Sequence, residues 1–185
     1  DLYNNSDYRK SIYIKKLFAN YGSVTFTDLY LVNKYPDNPL LKQTSGTSST
    51  YMHRPKVFRI AEIYLIAAEA AYKNGDQTNA KTYLDRLRAA RGIGSVTYTD
   101  LWAEIQNERN RELAFEGFRM ADIKRWNLGV VRGTPQNLNA IVSDPADQYH
   151  QLNIPAGNYK MVWPLPPSDI LYEKGRANWQ QNPGW

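Results

Sequence analysis

Three glutamates recur at four-residue spacing in the segment 108–126, ERNRELAFEGFRMADIKRW: Glu108, Glu112 and Glu116. On a helix this spacing stacks their carboxyl groups along one face. Two carboxyl groups can cleave a glycosidic bond, one as acid and the other as base or nucleophile, so a glycoside hydrolase is one reading of the segment. Such a pair normally comes from separate elements facing across a cleft, with a gap set by the sugar, whereas these three share one helix. A dimetal site of the helical-bundle kind would require Glu-x-x-His, and the segment contains no histidine. Arg109, Arg111, Arg119 and Arg125 offer bidentate partners close by. Buried charges must be paired, so the segment is expected to be scaffold, an Arg/Glu network clamping amphipathic helices.

Other reactive chemistry is poorly represented. His53 and His150 each stand in loop-like sequence without a second His, Cys or carboxylate at metal-ligand spacing. The chain has no cysteine, which removes thiol nucleophiles, disulfides and Cys-coordinated zinc. No G-x-S-x-G nucleophile elbow occurs, and RGIGSV (91–96) lacks full phosphate-loop spacing and follows a helix instead of a strand. No catalytic residue, no metal and no cofactor are therefore expected. The net charge is +5, yet most cations have an acid within a few positions, and only Lys81, Arg86, Arg88 and Arg91 lean toward a basic patch. Nucleic acid is not an expected partner.

The stronger sign of recognition is aromatic, since 13% of the residues are Phe, Trp or Tyr and 14 are Tyr. Such rings combine a flat apolar face with a polar handle. Tyr64, Tyr72, Tyr83, Trp102, Phe115, Phe118 and Trp126 fall at helical spacing and are expected in the core. Tyr30, Tyr35, Tyr51, Tyr149 and Tyr159 lie in or beside polar loops, where an exposed ring hints at ligand binding.

The elements that must position these groups are mainly helical. Residues 1–32 read as one or two strands or extended segments, and 33–55 as a long surface loop rich in Pro, Ser, Thr, Gly and Asn. The segment 57–75 is apolar nearly all round, predicting a helix buried on several sides and ended by Asn74-Gly75. Asp76 is placed to cap a second helix over 77–92, whose stripe Ala80, Tyr83, Leu84, Leu87 and Arg91 packs it on the first. The pair resembles one tetratricopeptide-like unit, with small Ala68 at the close contact. Such a hairpin must dock on other helices to bury its faces. A third helix, capped by Thr99 or Asp100, is expected to run from Leu101 to Trp126 with a pause at Gly117. After Gly129 the sequence is loop-like, then YKMVWPLP (159–166) reads as an extended edge segment, and Ser168 caps a short helix over DILYEKG.

Three ordered motifs carry a family resemblance: RIAEIYLIAAEAAYKNGD (59–76), IQNERNRELAFEGFRMADIKRWN (105–127) and WPLPPSDILYEKGRANWQQNPGW (163–185). With DLYNNSDYRK (1–10) and KYPD (34–37), they resemble the carboxy-terminal part of the SusD/RagB family of cell-surface nutrient-binding lipoproteins. The resemblance implies a mainly α fold, with a tetratricopeptide-like hairpin plus a further helix, long loops and a few short strands. It also implies a non-catalytic binder of oligosaccharides at the outer membrane, on the cell surface, that hands nutrient to a TonB-dependent (SusC-like) transporter. Family members are longer and carry most of their helical repeats and a lipid-bearing cysteine ahead of this segment. Residues 1–185 are accordingly expected to form a single carboxy-terminal domain of a longer protein, with membrane attachment only through a lipid anchor absent from this chain. Family ligand residues vary with the sugar, so none transfers by motif. A docking module whose ligand site lies in the amino-terminal part stands as the second reading.

Overall fold

The structure, a computed structural model, describes residues 2–21, 24–35, 56–133, 153–173 and 180–185. It is mainly α, and the described strands form a single two-stranded sheet. The chain divides into two compact units, Asp1–Arg119 and Met120–Trp185.

In the first unit, the amino-terminal segment departs from the extended structure its composition predicts. Helix α1 (Tyr8–Tyr13) forms because the Asp7 side chain accepts a hydrogen bond from the Arg9 N–H, satisfying one of the donors a helix start leaves open. Strands β1 (Ile14–Tyr21) and β2 (Val24–Val32) follow as an antiparallel hairpin, as the aromatic and β-branched runs predict. The register shifts between Leu17 and Ala19. Phe26 and Leu29, three residues apart, are consequently both buried, which strict alternation would not allow.

Helix α2 (Ile60–Lys73) and helix α3 (Gln77–Ala89) make the expected hairpin. Gly75 turns the chain at φ +80°, and the Asp76 carboxylate accepts from the Asn79 N–H at 3.0 Å. Ala68 and Ala80 are fully buried alongside Leu65, Leu84 and Leu87, so small residues sit where the two helices meet. Helix α4 (Leu101–Glu112), capped by Asp100, packs on both and inserts Ile105 into the same core. Tyr64, Tyr72, Tyr83, Trp102 and Phe118 pack around it as expected. The outer face of the hairpin stays open: Phe58, Ile60, Ile63 and Ile66 are exposed by 84, 70, 50 and 48%.

The third helix is shorter than predicted. It stops at Glu112, and a turn over 113–117 precedes helix α5 (Arg119–Arg125). The cause lies in the carbonyls at its end. Lys34 Nζ donates to the Glu112 and Ala114 carbonyls at 2.7 and 2.8 Å, and Arg59 Nη2 donates to Glu112 O at 2.6 Å. Cationic side chains thus satisfy acceptors that another helical turn would otherwise occupy. Phe115 falls in the turn with φ +66° and is exposed instead of joining the core.

The second unit holds most of α5, an isolated bridge between Val130 and Ile154, a 3-10 turn at Tyr159–Met161 and helix α6 (Pro167–Glu173). The 3-10 turn replaces the first half of the predicted extended segment. Gly157 reverses the chain at φ +71°, and the Asn158 side chain accepts from the Lys160 N–H. Proline opens α6, the position where its missing N–H costs nothing, so Ser168 lies inside the helix instead of capping it. No described helix is long and apolar enough to cross a membrane.

Candidate functional site

Helix α4 aligns Glu104, Glu108 and Glu112, and Glu116 follows in the turn. Glu108 and Glu112 are completely buried. Arg9, from the last expected place, is buried between them: Nη1 donates to Glu108 Oε1 at 2.7 Å and to Glu112 Oε2 at 2.9 Å. Its other edge holds Asp7 through Nε and Nη2 at 2.9 and 2.7 Å.

Glu112 has two further partners. Arg59, just ahead of α2, donates from Nη1 at 2.5 Å, and Arg91, just past α3, from Nε and Nη2 at 2.9 and 2.8 Å. Arg59 also grips Glu116, which Lys34 pairs from the far end of the hairpin. At the other end of α4, Arg88 Nη1 reaches Glu104 at 2.6 Å and Glu108 at 3.4 Å, and Arg111 bonds the same two carboxylates. Among the described residues, one connected network therefore gathers six cations and five carboxylates from α1 and its cap, the end of the β-hairpin, and α2, α3 and α4 with their flanks.

Burial alone would push the Glu112 carboxyl upward. Hydrogen bonds and positive charge from Arg91 and Arg59 outweigh that and hold it down at about 2. Glu116 is held low by the same balance, with burial opposed by Arg59 and Lys34. A general acid for glycoside cleavage needs the reverse, a raised pKa and access to substrate. The side chains of Glu108 and Glu112 are fully buried instead. The segment's glutamates are held in an Arg/Glu network, as its pattern predicts.

The identities of the clamping arginines differ from the expectation. Of the four within the segment, only Arg111 bonds the aligned glutamates. Arg109 pairs with Glu62 at 3.5 Å and lies against the Phe118 ring, Arg125 bonds Asp122 at 2.9 Å, and Arg119 is exposed. The decisive partners come from other elements. Arg91, which continues the sequence spacing of Leu84 and Leu87 just past the end of α3, signals this, since a cation in line with buried apolar residues requires a carboxylate. The suspected basic patch dissolves for the same reason: Arg88 and Arg91 enter the network, and Lys81 pairs with Asp85.

The candidate ligand-binding tyrosines occupy separate settings. Tyr30, on β2, is 57% exposed, and Lys16 Nζ stands 5.9 Å from its ring centre. Tyr35 is also exposed, and its hydroxyl donates to Phe115 O at 3.3 Å. Tyr159 belongs to the second unit, edge-on to Trp185 with ring centres 5.3 Å apart. Gly184 lies so close to it that a Cβ there would be 2.6 Å from the ring. Tyr51 and Tyr149, with His53 and His150, lie outside the described residues. Trp163, which sequence reasoning passes over, is 83% exposed directly before Pro164.

A tetratricopeptide-like hairpin clamped to a third helix by an internal ion-pair network defines a helical scaffold. The chain belongs to the SusD family, whose model matches residues 4–185. It is 30% identical over 156 residues to SusD-like protein P2 of Formosa agariphila, covering 78% of this chain and 30% of that one. It superimposes on a structure from Bacteroides vulgatus that bears a provisional sugar-binding name, with a TM-score of 0.62, 24% identity, and coverage of 97% of this chain and 36% of that one. A SusD-like protein of Bacteroides fragilis gives 0.55 and 25%, covering 84% of this chain and 30% of that one. The chain thus spans about a third of the length of the relatives it matches.

Proposed function

We propose that residues 1–185 form the carboxy-terminal domain of a cell-surface glycan-binding protein, which captures oligosaccharide at the outer membrane and passes it to a TonB-dependent transporter without cleaving it. The observation that carries this reading is membership of the SusD family along nearly the whole chain. It is supported by exposed rings at Tyr30, Tyr35 and Tyr159, each fit to stack on a sugar face, and by the complete burial of Glu108 and Glu112. Tyr51 and Tyr149 belong to the same proposal on sequence grounds. Titration calorimetry of the intact protein with a panel of oligosaccharides tests it. Micromolar to millimolar binding of at least one glycan, with no reducing sugar released, is the expected result; silence across the panel would remove the reading.

One observation favours a second reading, a scaffold whose ligand contacts lie elsewhere in a longer protein. The row Phe58, Ile60, Ile63 and Ile66 is exposed along α2, as on a repeat that has yet to bury a face. Unchanged glycan affinity after Tyr35→Ala and Tyr51→Ala in the intact protein would support it.

A further inference from the structure

We propose that a polar cavity beside the ion-pair network binds a carboxylate-bearing sugar, a uronic acid unit of an acidic glycan. The choice of a sugar rests on the glycan-binding reading; the preference for its carboxylate rests on the cavity alone. The cavity, of about 490 Å³, lies within the first unit, where Asn4, Asn5 and Lys10 face Arg88, Glu104 and Arg111.

Its walls have used up nearly all their acceptors. Both Asp7 oxygens, which also line the space, are taken by Arg9. Asn4 Oδ1 accepts from the Ser6 N–H and hydroxyl, and Asn5 Oδ1 accepts from Lys10 Nζ at 3.0 Å. Glu104 Oε1 is shared by Arg88 and Arg111. What is left over is donors. Arg88 spends Nη1 on carboxylates and Nε on Gly94 O, Arg111 spends Nε and Nη2, and no described residue accepts from Arg88 Nη2 or Arg111 Nη1. Neither nitrogen is sealed from solvent. The amide nitrogens of Asn4 and Asn5 are likewise without an acceptor among the described residues.

Charge points the same way. Among the described residues, the charged groups that line the cavity are three cations, Lys10, Arg88 and Arg111, and two carboxylates, Asp7 and Glu104. A group that only accepts, and is negative, complements such a wall; guanidinium forks suit a planar carboxylate in particular. Glu104 Oε2, with no described donor, suits a neighbouring sugar hydroxyl. A ligand carrying both groups on one ring is a uronic acid.

The test is calorimetry on the intact protein with galacturonate oligomers and with neutral galactose oligomers of equal length, alongside competition by acetate. Acidic oligomers should bind at least tenfold more tightly, and the advantage should shrink as salt rises. Lys10→Glu, which places a negative charge at the mouth without touching the buried pairs, should abolish the advantage at unchanged Tm and leave the neutral oligomers as they were. Asn5→Asp should do the same more weakly, so the outcome does not hang on one variant. Equal affinities, an acidic preference that survives both substitutions, or acetate competing as well as free galacturonate would each overturn the acidic subsite while leaving glycan binding intact. Failure of the acidic oligomers while another glycan of the panel binds would overturn the subsite alone, and silence of the whole panel would overturn both.

Discussion

Two regions of this protein are rich in groups that bind and react, and they treat them in opposite ways. Around α4 the charged groups are turned inward. Arg9, Glu108 and Glu112 are as buried as Leu65, and each charge is matched by hydrogen-bonded partners from other elements. On the β-hairpin and in the second unit several aromatic rings are turned outward, Tyr30 and Trp163 most of all, while Phe26 faces inward. The contrast teaches that a dense motif can be the least available part of a chain. Burial in a low-dielectric interior makes the charges depend on one another, because each would be very costly alone. An exposed ring has no such dependence.

The largest effect should follow from breaking the inward region at its centre. Glu112→Ala leaves Arg9, Arg59 and Arg91 without a shared carboxylate inside the core. Removing one partner from a buried ionic cluster costs about 3–5 kcal/mol. Urea unfolding of the variant should show that loss, or no folded protein at all. A cost under about 1 kcal/mol would mean that the network is ornamental and the contrast between the regions false.

Acid sharpens the same point without mutation. Folded Glu112 titrates at about 2, below its ordinary 4.5, so the group favours the folded state above pH 4.5 and that contribution drains away as pH falls from 4.5 toward 2. The difference corresponds to about 3 kcal/mol. Unfolding free energies measured at pH 5 and pH 2.5 should differ by an amount of that order, and Glu112→Gln should flatten the dependence. A Gln variant with the parent's pH profile would assign the acid sensitivity elsewhere.

How much of this is legible in the sequence depends on the distance over which the determining contacts act. The α2–α3 hairpin is legible because its signals are local: apolar spacing, Asn74-Gly75 at the turn and Asp76 as the next cap. The pairing of the glutamate row with arginines is legible too, since buried carboxylates stacked on one helix face require cations beside them. The partners are not. Arg9 is separated from Glu108 by 99 residues and from Glu112 by 103, and nothing in local spacing joins them. The early end of α4 is hidden for the same reason, because Lys34, 78 residues away from Glu112, takes the carbonyl that another turn would use. Helix α1 escapes notice because a six-residue helix has little periodicity to read, although Asp7 two residues before Arg9 is its cap. Exposed aromatic rings are the hardest case. A tyrosine beside a polar loop looks alike whether it ends in water, as Tyr30 does, or edge-on to another ring, as Tyr159 does against Trp185.

The outward region should therefore answer differently to the same treatment. Tyr30→Ala removes a ring that is more than half exposed, on a strand whose buried residues are Phe26 and Leu29. Its stability should change by no more than about 0.5 kcal/mol, as for ordinary surface positions. If the ring stacks on a sugar, affinity for a bound oligosaccharide should fall by about three- to tenfold, the size of a single aromatic contact. Thermal unfolding and calorimetry on one preparation separate the two quantities. A large stability loss would show that Tyr30 holds the hairpin together, placing it with the inward groups. Unchanged stability with unchanged affinity would remove Tyr30 from the binding surface and leave the difference between the regions one of burial alone.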